Sequence, residues 1–287
     1  MSTRPDTGDR PPVTLRTIAR MAKANEKFAC LTAYDYTTAK WLERAGVHAL
    51  LVGDSAANVV LGRESTVGIS MDFLVELTAA VKRGAPNTLL MADMPFMSYQ
   101  ASDEDGVRNA ARFLSEASAD IVKVEADIRF ASVIEKIERA GIPVCAHIGT
   151  RPQSAALTAG PKASGRTDID AQRIVADAIA LEQAGACMLL IEAVPPETTE
   201  RVLEATSVPL IGIGAGTACH GQILVVNDLL GLTDRPPRFA DPVETLGARI
   251  QAAGETWIDR VSRGEIGGKA YTMQTDGKPM PHTSTAG

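Results

Sequence analysis

Aromatic side chains are scarce, at 4% of the 287 residues, so any core this chain builds is aliphatic. Positive charge is not in excess either: 29 Lys and Arg stand against 35 Asp and Glu, a formal net charge of −6. That balance argues against broad affinity for nucleic acid or a membrane surface, but not against a small anionic ligand, whose pocket needs only a cationic group or two. No run of about eighteen apolar residues occurs, so no membrane span is expected. The four cysteines (Cys30, Cys145, Cys187 and Cys219) lie far apart and show none of the close pairs that hold zinc. Three of them sit in apolar runs and read as buried free thiols, which fits a reducing compartment. The opening MSTRPDTGDRPP is polar and proline-bearing, unlike a secretory signal, and the expected location is cytoplasmic. A G-x-G-x-x-G after the first strand is also missing, which weakens a dinucleotide-binding sheet.

What the chain does have is a repeated phrase: a helical segment, a turn, a compact apolar strand and a polar tip. WLERAGVHALLVGD, EKIERAGIPVCAHIG and LEQAGACMLLIE are three copies, each closing its helix on Ala-Gly. The strands are continuous apolar runs rather than alternating ones, as expected when helices cover both faces of a parallel sheet. Candidate strands fall at 28–33, 47–53, 88–92, 120–124, 142–147, 186–191, 208–213 and 222–226. Helical patterns fill 36–45, 71–83, 103–117, 128–140, 170–184 and 197–206, with a closing helix within 241–263. Eight strands alternating with helices favour a (β/α)8 barrel over an open doubly wound sheet. One barrel domain over 14–265, beginning with an N-terminal helix, is expected, with tails at 1–13 and 266–287.

In such a barrel the site lies at the carboxyl ends of the strands. Those positions hold Asp54, Asp93, Lys123, Glu125, His147 and Glu192. The acids Asp54, Asp93 and Glu125, on neighbouring strands, suit a hard divalent ion that keeps some water, with Mg2+ the first choice. Helix capping, or an ion pair with Lys123, is the plain alternative for any one of them. Lys123 suits the carboxylate or enolate oxygen of a 2-oxo acid, and a Schiff-base role remains open. Glu192, between MLLI and AVPP, suits a general base, with a structural ion pair as the alternative. His147 either binds substrate or orients a loop, or else is a hydrogen-bonded structural histidine. Asp35, in TAYDYTT, is read as a helix cap with no catalytic role.

The blocks LTAYDY, LLVGDS, RGAPNTLLMADMPFMSY, VKVE, PVCAHIG, RPQS, LLIEAVP, VPLIGIGAG and GQILVVND run in consistent order from about residue 14 to 240. Together they resemble the ketopantoate hydroxymethyltransferase family. RGAPNTLLMADMPFMSY is highly specific, whereas GIGAG alone is weak. The resemblance implies a barrel of the phosphoenolpyruvate/pyruvate type, Mg2+ and a homo-oligomer of up to decameric size. It implies transfer of a hydroxymethyl group from 5,10-methylenetetrahydrofolate to 3-methyl-2-oxobutanoate, by Mg-assisted enolisation and C–C bond formation, in pantothenate biosynthesis. By motif match Asp54 and Asp93 are metal ligands that also border the substrate, and Glu125 lies near the metal, directly or through water. Ser55 and Lys123 hold the keto acid, and Glu192 is the catalytic base.

The chain departs from the family pattern at Ala56-Ala57, at Ala126-Asp127, across the 150–166 loop with its Thr150 and Arg151, and at His220. Two other readings follow: a related Mg-dependent lyase or aldolase for another 2-oxo acid, and a non-catalytic ligand-binding or assembly protein. The retained acids and lysine speak against the last.

Overall fold

Alternation sorts each strand's side chains into two apolar layers, and that sorting is the basis of the fold. The computed structural model describes residues 11–157, 163–272, 274–275 and 278–279. Eight strands, β1 (Phe28–Thr32), β2 (Ala49–Val52), β3 (Leu89–Asp93), β4 (Ile121–Glu125), β5 (Val144–Gly149), β6 (Met188–Glu192), β7 (Leu210–Ile213) and β8 (Gly221–Leu224), close into a parallel barrel in sequence order. β8 returns to β1 with Phe28 opposite Gly221 and Cys30 opposite Ile223. Inside, Cys30, Leu51, Met91, Ile121, Cys145, Leu190 and Ile211 form one apolar cluster. Outside, Leu50, Leu90, Val122, Val144 and Leu189 pack against the helices in a second. Both faces are thus buried, and the continuous apolar runs follow from it.

The helices lie close to the expected positions. They are α1 (Leu15–Lys23), α2 (Tyr36–Arg44), α3 (Ala56–Val59), α4 (Met71–Gly84), α5 (Asp103–Ser115), α6 (Ala131–Arg139), α7 (Asp168–Gln183), α8 (Pro196–Ala205) and α9 (Val226–Leu229). Asp35 caps α2, its Oδ1 accepting from the amides of Thr37 at 2.8 Å and Thr38 at 2.9 Å. Gly46 after α2 and Gly185 after α7 take φ of +89° and +101°, the left-handed stop anticipated from Ala-Gly. The helix expected over 128–140 opens as a 3₁₀ turn, Ile128–Phe130, because the Asp127 side chain caps it by accepting from the Arg129 amide. Val13, buried, ties the amino-terminal approach down through its amide to the Asn87 carbonyl at 2.8 Å.

The chain divides into two compact units, the first ending at Glu244 and the second beginning at Thr245. The second contains α10 (Leu246–Ser262), the closing helix of the sequence pattern, and a short antiparallel pair, β9 (Gln274–Thr275) with β10 (Lys278–Pro279). The tails expected at 1–13 and 266–287 fall for the most part outside the described residues.

Two glycines give the packing a direct test. A Cβ on Gly84, near the end of α4, would stand 2.3 Å from the Tyr36 carbonyl oxygen of α2 and 3.1 Å from Ala39 Cβ. One on Gly254, within α10, would meet nothing within 4 Å. Gly84→Ala should therefore lower stability by about 1–3 kcal/mol, through overpacking. Gly254→Ala should raise it by about 0.5–1 kcal/mol, through helix propensity. Urea midpoints of the two variants measure both effects, and equal midpoints would contradict the close approach of α2 and α4.

Candidate active site

The alternation that fills the barrel with Leu51, Met91, Ile121, Cys145 and Leu190 places the next inward residues at its carboxyl-terminal mouth. Asp93 follows Met91 by two, Lys123 and Glu125 follow Ile121, His147 follows Cys145, and Glu192 follows Leu190. The strand register sets them side by side, Asp93 opposite Lys123 and Glu125 opposite His147. Asp54 and Ser55 leave β2 at the same end, just before α3. All seven residues line one cavity of about 490 Å³, whose wall also includes Asn58, Asp228 and Phe239. The structure therefore brings every site residue expected from the sequence into a single pocket.

Charge there is crowded and dry. Lys123 Nζ lies 2.8 Å from Asp93 Oδ1, and both side chains are almost wholly buried. The other Asp93 oxygen accepts from the Asp54 amide at 3.1 Å. Burial, with Asp54 adding to it, pushes Asp93 up to about 7 against the pull of Lys123. Burial likewise raises Glu125 well above the usual carboxylate range, again with Lys123 opposing. Burial alone would lower Lys123, but Asp93, Asp54 and Glu125 outweigh it, and the lysine is held cationic.

His147 spans this cluster. Its Nδ1 stands 3.4 Å from Lys123 Nζ and 3.7 Å from Glu125 Oε1, and its Nε2 stands 3.2 Å from Glu192 Oε2, off the line of a hydrogen bond. Burial and the neighbouring Lys123 lower its pKa, so the ring is neutral. A lysine can only donate, so Nδ1 accepts and Nε2 carries the proton that faces Glu192. His147 thus stands between Lys123, Glu125 and Glu192. Ser55 is held by the buried Tyr34, whose hydroxyl lies 2.8 Å from Ser55 Oγ.

Among the described residues, no three Asp, Glu, His or Cys side chains close into a ready-made metal cage. A hard cation that keeps its waters does not need one. Asp54, Asp93, Glu125 and Glu192 line the pocket with Lys123 as the cation among them, and Glu125 Oε1 is buried with no hydrogen-bond partner. An all-oxygen donor set with surplus negative charge and an orphaned carboxylate oxygen fits a divalent ion.

Three contributors were not marked in the sequence reading: Tyr34, Tyr99 and Gln153. Each lies off the barrel strands, and no spacing signals it. The departures from the family pattern separate by place. Arg151 Nη1 pairs with Asp127 Oδ2 at 2.7 Å, so two of them meet each other. Ala56 and Ala57 are wholly buried at the start of α3. His220 accepts from the Leu210 amide at 3.0 Å, at the start of β7 and so at the opposite end of the barrel from the acids.

Known proteins resemble this chain over most of its length. The family model described as ketopantoate hydroxymethyltransferase matches residues 12–268. A 3-methyl-2-oxobutanoate hydroxymethyltransferase of Syntrophus aciditrophicus is 45% identical over 88% of this chain and 93% of that protein. One from Alkalilimnicola ehrlichii is 44% identical over 94% of this chain and 99% of its own length. Among solved structures, phosphoenolpyruvate phosphomutase from Streptomyces platensis superposes with a TM-score of 0.62 at 16% identity, covering 88% of this chain and 89% of that one. Phosphonopyruvate hydrolase in complex with oxalate and Mg2+ gives 0.58 at 15%, covering 88% of each chain. The structural likenesses support the barrel fold, while the sequence matches go further. With the family's model covering nearly the whole barrel and relatives above 40% identity end to end, the chain belongs to the ketopantoate hydroxymethyltransferase family.

Proposed function

We propose that this protein transfers a hydroxymethyl group from 5,10-methylenetetrahydrofolate to 3-methyl-2-oxobutanoate, giving 2-dehydropantoate for pantothenate biosynthesis. One observation carries the reading: in a member of this family, Asp54, Asp93, Lys123, Glu125 and Glu192 all line one buried pocket at the mouth of the barrel. The folate donor comes from the family's chemistry.

Asp54 and Asp93 would hold Mg2+, with Glu125 beside it directly or through water. When bound, the ion supplies Lewis acidity to the keto oxygen, as oxygen-ligated Mg2+ does generally. Ser55 and Lys123 hold the oxygens of the 2-oxo acid, and the lysine, kept cationic by its three acid neighbours, offsets charge that builds on the enolate oxygen. Glu192 takes the proton from carbon three. The carbanionic carbon then forms the new C–C bond to the folate's one-carbon unit. Both C–N bonds of that methylene break, water supplies the hydroxyl oxygen, and the two folate nitrogens are reprotonated, leaving tetrahydrofolate. The neutral imidazole of His147, with Nε2 3.2 Å from Glu192 Oε2, is the side chain placed to orient that carboxylate once substrate is bound. The buried floor of the pocket limits water near the carbanion. Family membership supports a homo-oligomer, up to a decamer. No helix among the described residues is long and apolar enough to cross a membrane, which is consistent with the cytoplasmic placement proposed here.

The test is product formation with purified protein, Mg2+, methylenetetrahydrofolate and a panel of 2-oxo acids, read by mass spectrometry. Hydroxymethylated product from 3-methyl-2-oxobutanoate, at higher kcat/KM than from pyruvate or 2-oxobutanoate, is expected. Preference for a smaller keto acid, or cleavage without transfer, would favour the lyase reading instead.

A further inference from the structure

We propose that Gln153 is a positioning residue for the cation site, and that the Asp127–Arg151 ion pair pins the segment that carries it. Gln153 lies in a 3₁₀ segment, Pro152–Leu157, after β5, and is 3% exposed. Its Nε2 donates to Asp54 Oδ2 at 3.1 Å and to the Met94 carbonyl at 3.0 Å. Its Oε1 accepts from Gln100 Nε2 at 3.2 Å and lies 3.1 Å from the Tyr99 hydroxyl, whose one proton is shared with the Glu125 carbonyl at 2.9 Å. Acceptors on one side and donors on the other settle which end of the amide is nitrogen. The Gln153 backbone N–H donates to Glu125 Oε2 at 3.0 Å. A single residue therefore grips the acid that ends β2 and the acid that ends β4.

The consequence is chemical as well as geometric. Glu125 has one oxygen taken by Gln153 and the other, Oε1, buried with no hydrogen-bond partner. Fixing Oε2 fixes the direction of Oε1. An amide orients a carboxylate without neutralising it, so the surplus negative charge that favours a cation is kept. A lysine or arginine in this place would orient the same acids but cancel that charge.

The segment is fastened two residues earlier. Arg151 Nη1 lies 2.7 Å from Asp127 Oδ2, and Asp127 is itself two residues beyond Glu125. Arg129 Nη2 donates to that same oxygen at 2.6 Å. Asp127 and Arg151 are both positions where the chain departs from the family pattern, and the two departures complement each other as acid and base. They bolt the Gln153 segment to the end of β4 and leave the cation-facing carboxylates unchanged.

The inference rests on reading Asp54, Asp93 and Glu125 as the cation's ligands, and one titration separates the two claims. Mn2+ binding to the full-length protein is followed by loss of the free-ion paramagnetic resonance signal, for wild type, Gln153→Met and Arg151→Met. Gln153→Met keeps length and loses the side-chain donor. It should weaken Mn2+ binding about 10-fold or more, the usual effect of removing a group that orients metal ligands. Arg151→Met should weaken it by less, up to about fivefold, as for a partly exposed ion pair. Excess Mg2+ should restore much of the turnover of Gln153→Met, which a damaged barrel would not allow. If Gln153→Met does not fold, Gln100→Met removes the side-chain amide that donates to Oε1 and is read the same way. Wild type that binds while Gln153→Met (or Gln100→Met in its place) binds as tightly overturns the role of Gln153 alone. An Arg151→Met protein indistinguishable from wild type overturns the bolt. Wild type that binds no Mn2+ overturns the site reading and this inference together.

Discussion

Glu192→Gln is expected to slow proton abstraction from carbon three of 3-methyl-2-oxobutanoate by about 10²–10⁴-fold, the contribution of a positioned general base. Glutamine keeps the size and reach of the side chain but cannot accept a full proton. Glu192 is partly exposed to the pocket, with 21% of its side-chain surface accessible, and it is not part of the buried Asp93–Lys123 pair. The change should therefore leave Mg2+ and keto-acid affinity within a few-fold of wild type. Solvent hydrogen exchange at carbon three, measured beside Mn2+ and substrate binding, separates the base from a binding role. Exchange at the wild-type rate in this variant would mean that another group takes the proton. A loss of binding equal to the loss of rate would instead make Glu192 a ligand.

Lys123→Met should produce the largest change in stability. The lysine is 4% exposed and is the counter-charge to Asp93, Asp54 and Glu125. Methionine fills similar volume and leaves those carboxylates unpaired. Removing one partner from a buried ion pair costs about 3–5 kcal/mol, and the urea midpoint in the presence of a chelator should fall accordingly. The deficit carries a pH signature. Asp93 is already pushed up to about 7 by burial, and it rises further once Lys123 is gone. A carboxylate whose folded pKa exceeds its unfolded value near 3.9 binds more protons when folded, so stability falls as pH rises between the two. Wild type shares that fall up to about 7, so the loss specific to Lys123→Met should open as pH rises through 7 and be complete above the variant's own, higher Asp93 pKa. On the proposed Mg2+ site, the ion would bind the folded protein alone and should recover part of it, about 2.7 kcal/mol at a hundred times the dissociation constant. Unchanged stability in chelator would contradict the place of Lys123 in the charge balance.

The acids and the lysine were legible in the sequence for a physical reason. Each sits at the end of an apolar run, and the two-residue period that buries Met91, Ile121, Cys145 and Leu190 inside the barrel carries Asp93, Lys123, Glu125, His147 and Glu192 to its mouth. Pattern and position coincide there. Gln153, Tyr34 and Tyr99 obey no such period. They come from connections whose paths are set by tertiary contacts, so a string such as RPQS gives no sign that its glutamine reaches the acids at the ends of β2 and β4. Arg151 and Asp127 were visible only as departures, and their pairing across 24 positions required the fold. His220 stood out in the sequence as a departure from the family pattern. It proves to serve the far end of the barrel, where its ring accepts the Leu210 amide.

The central claim is that this pocket makes a carbanion from 3-methyl-2-oxobutanoate and joins it to a folate-borne carbon. Nuclear magnetic resonance of the keto acid in deuterated water, with Mg2+ and with or without methylenetetrahydrofolate, tests it most directly. The account predicts loss of the carbon-three proton signal with Mg2+ alone, suppression of that loss by a chelator, and hydroxymethylated product only when the folate is added. Folded, Mg2+-loaded protein that gives neither exchange nor product would contradict it.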